Sequence, residues 1–142
     1  MLCIAFISSG SLFGQAGEYA FSTSTGTYTP LGGSATTVSA VEADSGEDDI
    51  EIGFDFYFEG VAYDSVAVTS DGYLSFMLGA TSTATNDLDN GSAARRPLIA
   101  PLWDDHDGRA SSSSASYEIT GTAPNRVFTF EWRDWERSWN ST

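Results

Sequence analysis

The chain's one histidine, His106, lies in the run Asp104-Asp105-His106-Asp107-Gly108, so any serine–histidine–aspartate relay would have to use it. Ser111 to Ser114 follow closely. No nucleophile-elbow pattern surrounds them, and four successive serines read as flexible loop instead. Zinc finds no suitable ligand set either, because one imidazole among carboxylates lacks the usual His/Cys partners. The same run has a second chemistry open to it. Asp105 and Asp107 followed by Gly108 look like the start of a calcium loop, in which glycine lets the chain turn and alternate oxygens converge. The bidentate glutamate of an EF-hand is missing, since the next acid is Glu118. Asp104, Asp105 and Asp107 therefore stand as candidate calcium ligands, against the alternative that they cap backbone amides in a turn. Asp87-Leu88-Asp89-Asn90-Gly91 invites the same two readings more weakly.

Aromatic side chains supply the other candidate site. Phe128, Phe130 and Trp132 share one face of a strand and belong to a core by their spacing. Trp135 and Trp139 fall outside that rhythm and are candidates for stacking against sugar rings, with Arg133 and Arg137 beside them able to stack or to pair with Asp134 and Glu136. A paired-carboxylate glycosidase gains nothing from the 20 acids, because so many guarantee some suitable separation by chance. Glu42 to Glu51 (EADSGEDDIE) is either a solvated loop or a cluster for a divalent cation.

These groups sit in a chain of 142 residues with 41% hydrophobic and 13% aromatic content, enough for a single domain with a real core. Its 20 acids outweigh six arginines, for a net charge of −14, and that surface would repel nucleic acid. Leu2 to Phe13 form an apolar run followed by Gly14-Gln15-Ala16, the pattern of a secretory leader spanning residues 1–16, with a mature start at Gly17 and without the positively charged n-region. The run is too short to span a bilayer. Cys3 lies within it, so the mature chain would have no cysteine, and hence no disulfide, thiol nucleophile or zinc–thiolate site. Stability must then come from the packing of residues 17–142 as one domain.

The elements that would position these groups are strands. Ile50 to Phe58 alternates apolar and polar residues at the strand period; Glu59-Gly60 is a turn, and Val61 to Thr69 alternates again. Asp71-Gly72 is a hairpin dipeptide returning into Tyr73 to Met77. Residues 79–94 read as a long loop, and Pro97 to Trp103 as an edge or broken crossing strand because of its prolines. After the loop Asp104 to Ser114, strands are expected at Ala115 to Ile119 and Val127 to Trp132, with a turn at Thr120 to Asn125. Upstream, two short strands are expected about Gly26 and one over Thr36 to Val41. No stretch shows a capped helical period. The architecture expected is all-β: an antiparallel β-sandwich, jelly-roll-like, or a partly closed barrel, with its C-terminal strands missing after Trp139-Asn140-Ser141-Thr142.

The ordered set Ile52-Gly53-Phe54-Asp55-Phe56-Tyr57-Phe58-Glu59-Gly60, Ser70-Asp71-Gly72-Tyr73-Leu74-Ser75-Phe76, Arg96 to Asp105, and Tyr117 to Trp132 resembles a β-sandwich module of secreted and surface proteins of Bacteroidetes-type bacteria. More distantly it is similar to nidogen-type extracellular domains. Asp71 stands where that module usually has Asn. The resemblance implies a non-catalytic extracellular module for adhesion, surface display or spacing, partnered by neighbouring domains of the same polypeptide. A carbohydrate-binding module serving an enzyme and a calcium-stiffened linker are the alternatives, with an extracellular glycan or protein as further partner and calcium as the one cofactor in view.

Overall fold

The computed structural model describes residues 22–88 and 95–137, so the expected leader, Asp89 to Gly91 and Trp139 lie outside the described residues. The fold is all-β, antiparallel throughout, and no sheet closes into a barrel. A four-stranded sheet is built from β2 (Glu47–Phe58), β3 (Val61–Thr69), β4 (Leu74–Ser75) and β5 (Leu98–Ile99), in that order. A three-stranded sheet orders β1 (Thr36–Thr37), β7 (Ser114–Thr122) and β8 (Asn125–Arg133) as β1-β7-β8. A small ribbon pairs β6 (His106–Asp107) with β9 (Glu136–Arg137). The two larger sheets bury Val38, Val41, Ile50, Ile52, Val66, Val68, Phe76 and Ala115 between them. This is the sandwich that the alternation predicts.

Alternation drives the two long strands. Ile50 and Ile52 are buried while Asp49, Glu51 and Gly53 between and beside them are exposed. Phe54, Phe56 and Phe58 continue the inward face through a register shift between Glu51 and Phe56. Gly53 sits at that shift with φ +80°, and a Cβ there would run into the Ile119 side chain of β7. The β2–β3 hairpin closes through Glu59 and Gly60, both at positive φ (50° and 80°), the geometry that lets a two-residue turn follow the twist of its strands. β5 is an edge strand, as the prolines around it require.

Several expectations are corrected. The three-residue loop Ser70–Gly72, closed by the Thr69 N–H on the Tyr73 carbonyl (3.2 Å), replaces a two-residue turn at Asp71-Gly72. Gly72 alone takes positive φ there, and β4 covers only Leu74–Ser75. The acidic stretch Glu42 to Glu51 is loop only in its first half, since Glu47 to Glu51 pair with Thr69 to Ser65 in β2–β3. Residues 22–34 hold no strand; Tyr28 Oη instead donates to Glu131 at 2.5 Å, tying that segment to β8. Thr36 to Val41 divides into β1 and a 3₁₀ turn, Ser39–Val41, which buries Val41. The turn predicted over Thr120 to Asn125 shrinks to Ala123-Pro124, because β7 and β8 extend their ladder to Thr122↔Asn125.

Candidate functional site

One end of the sandwich is built on a buried carboxylate. Asp71, 2% exposed, sits at the tip of the Ser70–Gly72 loop. Its Oδ2 accepts from Ser82 Oγ at 2.7 Å and its Oδ1 from the His106 backbone N–H at 3.3 Å, while its carbonyl accepts the Asp104 N–H at 3.3 Å. One side chain thus clamps the loop after Ala80 and the loop after Trp103 onto the β3–β4 connection. Burial raises the Asp71 pKa above the ordinary carboxylate value, opposed by the hydrogen bonds from Ser82 and His106. Gly72 permits the close approach: a Cβ there would collide with the Leu102 carbonyl oxygen, and its φ of +76° disfavours any side chain.

Against this clamp lies a cleft of about 400 Å³ lined by Gly72, Pro101, Leu102, Asp104, His106, Trp132, Trp135 and Arg137. The β6–β9 ribbon assembles it, because the His106↔Arg137 register brings Arg137 onto Asp104 (Nη2 to Oδ2, 2.5 Å). Trp132 donates its indole N–H to the Thr69 carbonyl at 2.8 Å, and Trp135 donates its own to the Ser114 carbonyl at 3.1 Å. Both indole N–H groups are therefore held by the scaffold, which fixes the rings in place. What the cleft offers is ring surface from two tryptophans, one ion pair and one largely buried imidazole. That combination suits the stacking of a flat, hydroxylated ring, with polar groups at its rim.

The candidate residues read from the sequence are only partly brought together. Asp104 and Trp135 meet in this cleft. Trp135 is half-buried, packs against the core and lies over Gly108, so it is held by its neighbours rather than left over. Trp139 lies outside the described residues. Asp107 turns away to Arg109, which bonds both its oxygens (Nε to Oδ1, 2.9 Å; Nη2 to Oδ2, 2.6 Å). That guanidinium holds the Asp107 pKa below the usual range. Asp104 Oδ1 accepts the Asp105 N–H at 2.9 Å, the capping role that a turn assigns to it. Among the described residues no group of three or more His, Cys, Asp or Glu side chains is placed to hold a metal ion. Arg133 pairs with Asp134 at 3.6 Å, as its spacing suggests, whereas Arg137 reaches Asp104. Ser113, from the serine run, donates to the Asp134 carbonyl.

Sequence reasoning missed the Asp71–Ser82–His106 clamp. Ser70-Asp71-Gly72 was legible as a turn, but Ser82 comes from a loop of serines and threonines that carries no period to single it out.

Scaffold and cleft together define an all-β sandwich module. The chain belongs to the NIDO-related family, whose profile matches residues 18–142. No curated protein and no solved structure matches it. The family supports a nidogen-like domain with an extracellular context, non-catalytic in class and forming part of a larger protein. Among the described residues no helix is long and apolar enough to cross a membrane.

Proposed function

We propose that this chain is an adhesion and display module of a larger secreted bacterial protein, making contact with an extracellular glycan or protein through the tryptophan-lined cleft. The observation that carries the reading is the cleft itself: Trp132 and Trp135, fixed by their indole N–H bonds, flank the exposed Asp104–Arg137 pair and Leu102, which is 67% exposed. Rigid aromatic surface with a polar rim provides contact area at low entropic cost, the usual composition of recognition surfaces. Asp71 and Ser82, which could do chemistry elsewhere, are here bonded to each other and hold loops together.

The carbohydrate-binding reading is a special case favoured by the same rings, and a glycan array separates the two. Beads carrying the 142-residue chain are expected to adhere to glycoprotein-coated surfaces, with adhesion reduced several-fold by Arg137→Ala or Leu102→Asp, two exposed positions whose loss should not unfold the domain. Retention of a defined glycan on the array would narrow the ligand to sugar. The proposal fails if both variants adhere like the parent, or if the purified chain hydrolyses an ester, glycoside or peptide substrate in a manner abolished by His106→Ala.

A further inference from the structure

A second cleft, of about 390 Å³, lies between the two larger sheets against β8. Among the described residues β8 has one ladder partner, β7, and its other edge carries no strand. On the wall facing it stand Phe54, Leu74, Phe76 and Ile99 of the four-stranded sheet. Ile99 and Val127 stay 38% and 54% exposed although both are apolar. An unpaired strand edge beside an uncovered apolar floor is the arrangement into which an added strand fits: backbone groups complete the ladder and alternate side chains fill the floor. Residues 28–31 do not occupy it, since Tyr28 and the Leu31 N–H engage the Glu131 carboxylate, on the opposite face of β8 from Phe128 and Phe130.

We propose that this edge receives an extended strand of a partner polypeptide, antiparallel to β8. The occupant's chemistry follows from what it must face. Phe128, Phe130 and Trp132 line the cleft and call for apolar, β-branched side chains at positions i, i+2 and i+4, with i opposite Trp132. Arg126 is the one charged residue lining the cleft; it lies over the Phe54 ring at 4.8 Å, and it calls for a carboxylate at i+6. The intervening residues lie on the outer face of β8 beside Glu131, Thr129 and Val127, and the carboxylate of Glu131 favours lysine opposite it. A second copy is disfavoured as occupant, since two chains each of net charge −14 repel one another as they approach. β8 has nine residues and spans about 30 Å, so a partner of similar length presents roughly four side chains to the floor.

The test uses a synthetic nine-residue peptide with valine at i, i+2 and i+4, glutamate at i+6 and lysine or threonine between, titrated into the 142-residue chain and followed by calorimetry. Saturable binding is expected. N-methylation of the alternate residues whose N–H groups point toward β8 should abolish it, while N-methylation of the other set should leave it intact. Arg126→Glu should weaken binding at least about tenfold, and changing the peptide's glutamate to lysine should restore it. No saturation up to about 1 mM, equal sensitivity to both methylation sets, or failure of the charge exchange would overturn the proposal. So would concentration-dependent dimerisation of the chain that the peptide competes away, because the occupant would then be a second copy.

Discussion

Three oxygen–oxygen contacts run in series from Asp44 to Asp71: Ser70 Oγ to the Asp44 carbonyl at 3.1 Å, Ser70 Oγ to Ser82 Oγ at 2.7 Å, and Ser82 Oγ to Asp71 Oδ2 at 2.7 Å. With Asp71 ionised, the two hydroxyls have two hydrogens to share among three contacts, so one contact lacks a proton. A proton on Asp71 completes the chain, each hydroxyl then donating toward Asp44. Burial raises the pKa of this carboxyl above its ordinary 3.8, in agreement with that count. The sign of the linkage follows: the folded state holds the proton more tightly than the unfolded one. The proton's stabilising contribution is complete below the unfolded value and is lost as pH climbs through the raised folded value. Asn at this position, usual in the module that the sequence resembles, would carry a permanent N–H where Asp carries a titrating proton. Asp71→Asn is therefore expected to melt above the parent at neutral pH, with the gap closing below about pH 4, as read by thermal denaturation across pH 3 to 8. A variant melting below the parent at pH 7 would show that the charge itself stabilises the clamp.

Between sheets, Trp132 is the element-scale fastener, because its indole N–H on the Thr69 carbonyl joins β8 to the end of β3 across the sandwich. Trp132→Phe keeps an aromatic ring and removes that bond, at an expected cost of about 1 kcal/mol. In a domain of this size the loss should lower the melting temperature by roughly 3–5 °C, measured by calorimetry. An unchanged melting temperature would mean that the ring's packing alone holds the sheets together. β2, β3 and β8 were legible in the sequence because each has nine or more residues over which a two-residue period can be read. β4 and β5 lie inside the expected Tyr73–Met77 and Pro97–Trp103 strands but shrink to two residues each, whereas β6 and β9, also two residues each, are too short for any period and exist because a distant segment pairs with them. His106–Asp107 is a strand only because Glu136–Arg137 lies beside it. The site shared this fate. Trp135 and Asp104 could be named from residue type, but the ribbon that adds Arg137, and the clamp beneath, are long-range facts. Over the described residues 22–29 the expected upstream strands fail for the opposite reason: alternating threonines mimic a strand, while few large apolar side chains are present to bury one.

For the whole molecule the governing quantity is the charge of −14, divided so that residues 1–94 hold thirteen acids and no base while all six arginines follow. Folding brings some of the two parts together. Arg109 lies 2.6 Å from Asp107 and 3.7 Å from Asp44, bridging a downstream loop to an upstream one. Other acids bond backbone amides: Asp49 accepts the Gly79 N–H and Glu47 the Ser82 N–H. Most of the excess charge is still wet and self-repelling, so raising sodium chloride from about 20 to 300 mM, which shortens the screening length from roughly 20 Å to under 6 Å, should raise the melting temperature. Calcium tests something narrower. To bind at Asp104, Asp105 and Asp107 the ion would have to displace Arg137 from Asp104 and Arg109 from Asp107, both held at 2.6 Å or less. The expected outcome is that millimolar calcium raises the melting temperature no more than magnesium at equal ionic strength. Calcium beyond that level stabilises only if it binds the folded state selectively. A calcium-specific rise, reversed by chelation and absent in Asp105→Ala, would mean that the ion outcompetes both guanidinium groups, and the loop would then be a calcium-stiffened joint between modules.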